Sequence, residues 1–323
     1  MTGRTAIITG VSGQDGWHLS QRLLAEGYRV VGVTRDATYA RPVVDASIEL
    51  AAWDFHDDAA FRELLRRARP TEIYNLAAHS SGAGMFDAPV AIGEINGLAV
   101  ALMLEAVREV DPAIRFWQAS SSELYGAVPA QSPQSETTPF APRSPYGAAK
   151  LYAHTMVGIY RRHYGLFACA GILFNHESPR RDARFVTGKV TEAAARVKLG
   201  LTDDLALGAL DARRDWGFSG DYMHAASLML QADKPDDYVI ATGQSHTVRD
   251  LCRLAFEHLG LDYRDHVREG QADHRAAEAS PLIGDASKAA RELGWNPSVT
   301  FPQLVKTMVD AHLARLSANG TNS

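Results

Sequence analysis

Thr5-Ala6-Ile7-Ile8-Thr9-Gly10-Val11-Ser12-Gly13-Gln14-Asp15-Gly16 decides the fold. The first five residues form an unbroken apolar run of the kind found in strands buried on both faces. Three glycines follow at a spacing of three. After them Leu19, Leu23 and Leu24 recur along one face of a helix. A strand, a glycine turn and an amphipathic helix in that order make the opening of a βαβ unit, where main-chain N–H groups and the helix N-terminus can hold a pyrophosphate. Glycine runs after strands also arise for conformational reasons alone. Position at the first βα junction makes Gly10, Gly13 and Gly16, with Gln14 and Asp15 between them, candidates for binding a dinucleotide.

Moving outward, apolar runs at 29–34, 48–53, 73–77 and 114–119 alternate with helical stripes such as Phe61, Leu64, Leu65 and Ala68, and Leu98, Leu102 and Ala106. Strands that alternate with helices predict an α/β fold, a Rossmann-like doubly wound parallel sheet. From Ser178 the pattern loosens into loop-like stretches around a helix near 187–199, with sheet returning at 237–241 and helices near 248–259 and 302–316. Residues 1–177 are therefore expected to form mainly the dinucleotide-binding domain. Residues 178–323 should form mainly a smaller substrate-binding lobe, with segments near 205–245 returning to the main domain. The 323 residues, 46% of them hydrophobic and 22% charged, suffice for a domain with an attached lobe.

A net charge of −5 argues against a nucleic-acid partner, because coating a phosphate backbone takes a dominant positive surface. No uninterrupted apolar run reaches the ~18 to 20 residues that span a bilayer and no signal-type stretch opens the chain, so a cytoplasmic protein without a membrane partner is expected. Cys169 and Cys252 stand far apart with no CxxC pair, and the histidines show no metal-ligand spacing. Neither a disulfide framework nor a metal site is expected.

At the end of the second apolar run, Thr34-Arg35-Asp36 offers both an arginine for a 2′-phosphate and an acid for a ribose hydroxyl; the guanidinium points to NADP. Asp54, beyond the third run, either accepts a hydrogen bond from adenine or is a turn aspartate. Ser144-Pro145-Tyr146-Gly147-Ala148-Ala149-Lys150 begins a helix, with Ser144 as N-cap and Pro145 in the first turn. Tyr146 and Lys150 lie four apart and share one face, where an ammonium can lower the phenol's pKa. Upstream, Ser120-Ser121-Ser122-Glu123 ends the fifth run at the sheet's carboxyl edge, where doubly wound sheets bind ligands. Hydroxyl, acid, phenol and ammonium are expected to converge there. Arg66, Arg67 and Arg69, and Arg180 with Arg181, are short basic clusters of the solvated kind, the latter inside the lobe.

The glycine turn, the Ser-Ser-Glu-Leu-Tyr-Gly segment at 121–126, Tyr146-x-x-x-Lys150 and Phe174-Asn175-His176-Glu177-Ser178-Pro179 together resemble the extended short-chain dehydrogenase/reductase family. Within it the likeness is nearest to its GDP-mannose 4,6-dehydratase branch, and extends through Arg184 to Lys189, Leu207 to Gly217 and Gly284 to Lys288. That resemblance implies Ser121 as the hydroxyl (threonine is usual there), Glu123 as the base and Tyr146 with Lys150 as the remaining pair. It implies Leu76, Ala77, Tyr146 and Lys150 beside the cofactor, and Ser80, Asn175, Lys189, Arg214 and Arg275 around the nucleotide sugar. The chain departs from the branch at Gly188, Ala209 and Ala276, around His79-Ser80-Ser81, and at Asp36, where a second arginine is usual.

The implied function is an NADP-dependent nucleotide-sugar 4,6-dehydratase, a lyase taking GDP-mannose or a related GDP-hexose or heptose, active as a homodimer or homotetramer. The alternatives are a GDP-4-keto-6-deoxysugar reductase or 4-epimerase of the same family, and a non-catalytic NADP-sensing regulator. Ser122 or Glu123 is the candidate general acid, and His176 is read as a structural or substrate-edge residue.

Overall fold

The computed structural model describes residues 3–79, 86, 88–126, 132–270 and 282–320. The elements in chain order are β1 (Thr5–Thr9), α1 (Gln14–Ala25), β2 (Arg29–Thr34), α2 (Ala37–Ala40), β3 (Glu49–Ala52), α3 (Asp58–Ala68), β4 (Glu72–Asn75), α4 (Pro89–Gly93), α5 (Ala99–Val110), β5 (Arg115–Ser121) and α6 (Pro145–Tyr164). There follow β6 (Ala168–Leu173), β7 (Asn175–Glu177), α7 (Val186–Lys198), β8 (Leu205–Leu207), β9 (Arg213–Phe218), α8 (Ser219–Gln231), β10 (Tyr238–Ile240), β11 (Ser245–Thr247), α9 (Val248–Glu257), α10 (Tyr263–His266), β12 (Val267–Glu269), α11 (Ser287–Leu293) and α12 (Phe301–Gly320).

Seven parallel strands form the main sheet in the order β10-β6-β5-β4-β1-β2-β3. The fold class expected from the alternating pattern is the one observed. Strand order reverses between β1 and β4, which opens a crevice at their carboxyl ends. Burial on both sides explains the apolar runs: Ile8 faces a cluster with Leu19, Leu23, Tyr222, Met223 and Trp295, while Ile7 faces Phe61, Leu65, Met103 and Val157. Helices α1, α8 and α11 thus cover one face of the sheet, and α3, α5 and α6 the other.

A second core lies among α7, α9, α12, β8 and β9, built from Val190, Leu205, Trp216, Leu251, Phe256 and Val305. Of the stretch 205–245, α8 and β10 join the main domain, whereas β8, β9 and β11 remain with the lobe. Residues 286–295 also pack on the main domain, through Ala289 and Trp295. Tyr238 pairs with Gly171 and Ile240 with Leu173, so β10 adds an edge strand to the main sheet where the sequence expects sheet to return at 237–241. Strand β5 runs two residues further than its apolar run, to Ser121, and so carries Ser120 and Ser121 to the edge of the crevice.

The helical run Pro89–Val110 is long and apolar enough to cross a membrane by length and composition, although no single apolar run in the sequence has that length. Half of its most apolar window is buried against the rest of the protein. Its middle, Glu94–Leu98, is a π-helical turn carrying Asn96, which is buried. Asn96 accepts the His79 N–H at 2.8 Å and donates to the His79 carbonyl at 3.1 Å, tying down the exit of β4.

Candidate active site

Gly10 adopts φ +70, and a Cβ there would lie 2.9 Å from the Ala77 backbone nitrogen. A Cβ on Gly16 would lie 2.5 Å from the Gly10 carbonyl oxygen. The turn therefore admits only glycine at both places, and it leaves a cradle of backbone N–H groups at the start of α1. Thr9 sets the opposite wall. Its hydroxyl donates to Asn75 Oδ1 at 2.5 Å and accepts the N–H groups of Leu76 and Ala77, each at 3.1 Å. Leu76 and Ala77 thus abut the glycine turn with their own N–H groups already satisfied.

From Asn75 a buried chain of hydrogen bonds continues across the sheet. Asn75 Nδ2 donates to Gln118 Oε1 at 2.8 Å, and Gln118 Nε2 donates to the Ala119 carbonyl at 2.8 Å. Lys150 Nζ donates to that same carbonyl at 2.9 Å. Every polar side chain in the chain is buried, so each would carry a desolvation cost if its partner were lost. Thr9, Asn75 and Gln118 are absent from the expectations above, because a polar residue in a buried strand gives no periodic signal.

Ser144 caps α6 as its sequence suggests, accepting the Gly147 N–H at 3.0 Å, with Pro145 at the first position. Gly147 lets the first turn approach β5's exit: a Cβ there would sit 2.8 Å from the Glu123 carbonyl. This packing brings Tyr146 to Ser121, whose hydroxyl hydrogen-bonds the phenol, and within electrostatic reach of Glu123, Arg181 and Asp15. Ser121 also accepts the Glu123 N–H at 3.2 Å. Ser122, by contrast, is buried.

Tyr146 and Lys150 share a face of α6, but their relation differs from a direct pairing. The ammonium lies 5.8 Å from the Tyr146 ring centroid and its hydrogen bond goes to Ala119. Burial pushes the Tyr146 phenol up to about 12, against the smaller lowering by the Ser121 hydrogen bond. Burial also lowers the Lys150 ammonium to about 8, partly opposed by the Asp15 carboxylate.

At the crevice's other end, Arg35 is exposed and its guanidinium has no hydrogen bond or ion pair among the described residues. Asp36 is engaged: it caps α2 by accepting the N–H groups of Thr38 at 2.8 Å and Tyr39 at 3.2 Å. Asp54 is exposed and accepts the His56 N–H at 3.0 Å, which is turn geometry. Side chains of Gln14 and Asp15 turn toward the lobe. Gln14 donates to the His176 carbonyl at 2.8 Å and accepts from Ser178 at 3.0 Å, while Asp15 contacts His176 at 2.9 Å and accepts from Ser219 at 2.7 Å.

In the lobe, Asn175 begins β7, paired with Trp216 of β9, and is half-buried. Arg214 lies in β9 opposite His246 of β11. Lys189, on α7, is exposed and donates to the Ala206 carbonyl at 2.8 Å. Ser80 and Arg275 lie outside the described residues. Arg181, grouped above with solvated arginines, instead pairs with the buried Glu177 at 2.6 Å, lies over the Phe185 ring at 3.7 Å and acts on Tyr146. The turn after β7, closed by the Arg181 N–H on the Ser178 carbonyl at 2.9 Å, sets it beside Glu177. Among the described residues no group of three or more His, Cys, Asp and Glu could hold a metal.

A doubly wound sheet with a glycine cradle after β1, hydroxyl and acid at the end of β5, and a Tyr-Lys pair on α6 defines an extended short-chain dehydrogenase/reductase. The family model for GDP-mannose 4,6 dehydratase matches residues 7–308. GDP-mannose 4,6 dehydratase 1 of Arabidopsis thaliana is 47% identical, over 96% of this chain and 90% of its own. The Homo sapiens GDP-mannose 4,6 dehydratase is 41% identical, over 97% and 92%. The chain belongs to the GDP-mannose 4,6-dehydratase family.

Solved structures extend the likeness of fold. UDP-glucose 4-epimerase of Thermus thermophilus, in complex with NAD, superposes with a TM-score of 0.84 at 28% identity, covering 95% of this chain and 98% of that one. RMD of Pseudomonas aeruginosa, in complex with NADPH, gives 0.83 at 23%, covering 97% and 99%.

Proposed function

We propose that this protein is an NADP-dependent GDP-mannose 4,6-dehydratase with Ser121, Glu123, Tyr146 and Lys150 as its catalytic residues. The observation that carries the reading is the carboxylate of Glu123 set beside the Ser121–Tyr146 pair, since a simple hydride-transfer enzyme needs no such acid. The glycine cradle fits a pyrophosphate, and a Cβ at Gly10 or Gly16 would collide with the Ala77 or the Gly10 and Val11 backbone and distort the turn that shapes it. The unpartnered Arg35 fits a 2′-phosphate, while Asp36 already spends one carboxylate oxygen on its own helix cap. NADP is therefore the favoured dinucleotide.

Bound nicotinamide supplies reversible hydride storage between C4 and C6 of the sugar. Tyr146 takes the C4 hydroxyl proton as its phenolate, the form that burial disfavours and the Ser121 hydrogen bond favours. The resulting ketone acidifies C5, and Glu123 takes that proton while the C6 hydroxyl departs. Of the two protons now held by Tyr146 and Glu123, one leaves with the hydroxyl as water and the other returns to C5 as the hydride taken from C4 is delivered to C6, so the reaction is redox-neutral overall. Glu123, beside the Ser121–Tyr146 pair, is the favoured group to protonate the leaving hydroxyl, with the buried Ser122 as the alternative. Asn175, Arg214 and Lys189 on the lobe, with Ser80 and Arg275, are assigned to the GDP-sugar. Lys189 is exposed and keeps two further ammonium donors beside the one on Ala206.

Incubation with GDP-mannose in deuterated water, without added reductant, tests the reading. The expected product is a 4-keto-6-deoxy sugar with deuterium at C5. Stoichiometric NADPH consumption with a 4-keto-6-deoxy sugar, and an untouched GDP-mannose, would instead establish a reductase. Glu123→Gln removes the acceptor for the C5 proton, so reduced nicotinamide should accumulate to about one equivalent per site and turnover should stop.

Association of two copies is supported by Val90, Leu98, Tyr152 and Ile159, which are 73%, 57%, 41% and 38% exposed on neighbouring helices. Clustered apolar residues of this kind are uncommon on a monomer's surface, and a two-fold contact buries them at once. A monomer by light scattering would reject this assembly.

A further inference from the structure

His176 is half-buried between the main domain and the lobe, and both of its ring nitrogens meet acceptors. Nδ1 lies 2.8 Å from the Phe174 carbonyl oxygen and Nε2 lies 2.9 Å from Asp15 Oδ2. A carbonyl never donates, and an ionised carboxylate does not either. Neutral imidazole has one N–H only, so it can satisfy one of these partners and must turn a lone pair on the other. The imidazolium satisfies both.

Its surroundings agree. From α1, the Asp15 carboxylate faces it and is held at about 2: burial would raise it, but the charge and hydrogen bond of His176 and the Ser219 hydroxyl prevail. From α8, Tyr222 stacks on the ring at 4.8 Å. Arg181, after β7, opposes the charge weakly, and His18, one turn along α1, is kept neutral by burial, which lowers it to about 4. On balance the His176 value is raised, burial being outweighed by Asp15.

We infer that Gln14 and Asp15 serve the sugar rather than the dinucleotide: through His176, held as an imidazolium between Asp15 and the Phe174 carbonyl, they are positioning residues that lock β7 and its Asn175 against the pyrophosphate turn. Two consecutive residues of α1 grip consecutive parts of one strand. Gln14 takes the His176 carbonyl and the Ser178 hydroxyl, and Asp15 takes the His176 ring. Asn175 immediately precedes His176, so loosening this grip moves the lobe strand relative to Tyr146 while leaving the backbone N–H groups of the turn in place. The inference rests on the assignment of Asn175 to the nucleotide sugar made above.

Nitrogen-15 spectra of the full-length, histidine-labelled protein, with His176→Gln identifying the signals, read the ring directly. Both His176 nitrogens should keep their protons to a higher pH than those of an ordinary imidazole, and in Asp15→Asn one should be lost at a lower pH than in the wild type. Asp15→Asn and Gln14→Ala should each raise KM for GDP-mannose about tenfold, with Kd for NADP changed less than about twofold. A wild-type His176 that loses its second proton no higher in pH than an ordinary imidazole overturns the ion pair, and this needs no variant to fold. A weakened NADP Kd with unchanged sugar KM shows that these side chains hold the dinucleotide and overturns the inference. So does a lower melting temperature with KM unchanged, the mark of a merely structural pair. An unchanged KM in Asn175→Ala removes the sugar contact itself, and so separates failure of that assignment from failure of the ion pair.

Discussion

The Lys150 ammonium donates to the Ala119 carbonyl at 2.9 Å, and this bond joins α6 to the strand that delivers Ser121. A buried ammonium with one neutral acceptor is costly to the fold. Lowering its pKa from 10.5 to about 8 corresponds to about 3 kcal/mol at neutral pH, set against about 1 kcal/mol for the carbonyl it satisfies. Lys150→Met should therefore abolish turnover while raising stability by about 2 kcal/mol, read from denaturant midpoints at about pH 7. Because the folded-state value is depressed, the wild-type protein should itself gain stability between about pH 8 and 10.5, and the variant should not. A variant less stable than wild type would contradict this assignment of cost.

Tyr146→Phe should lose at least about a thousandfold in kcat with little change in melting temperature, since the ring still packs and only the phenolic oxygen goes. Retained activity would show that another group takes the C4 hydroxyl proton.

Arg35→Ala should weaken NADP binding by about 1–3 kcal/mol and leave NAD binding unchanged, as measured by titration of cofactor-stripped protein. Asp36→Ala should cost about 1 kcal/mol of local stability through loss of the α2 cap, without improving the affinity for NAD. Equal affinity of the unaltered protein for both dinucleotides would refute the role of Arg35.

Acid unfolding should report the Asp15–His176 pair. Asp15 is depressed from 3.8 to about 2 in the folded state, so its contribution is complete above about pH 4 and is lost as pH falls toward about 2. Asp15→Asn should remove about 2 kcal/mol of that acid-limb dependence. On the alkaline side the sign reverses, because the raised His176 value makes its contribution complete below about pH 6.5 and lost as the imidazolium deprotonates. An acid limb of the same slope in the variant would exclude Asp15 as its source.

Local pattern determined much of this protein without any tertiary information. The apolar runs at 5–9 and 29–34 coincide with β1 and β2 residue for residue, because strands buried on both faces need continuous apolarity. Gly10, the Ser144 cap and the Tyr146–Lys150 spacing are likewise local requirements, set by φ, by an unsatisfied N–H and by the helical repeat. Tertiary structure alone decided the partners of charged and polar side chains. Gln14 and Asp15 read as part of a cofactor turn, yet they reach residues more than 160 positions away in β7. Arg181 reads as a surface charge but pairs with buried Glu177, and Asp36, which the sequence offers only as an acid beside Arg35, caps its own helix. The Thr9–Asn75–Gln118 chain to Lys150 crosses three neighbouring strands, so no window along the chain contains it. Backbone conformation is governed by neighbours in sequence, whereas a hydrogen bond is governed by proximity in space, which only the packed sheet supplies.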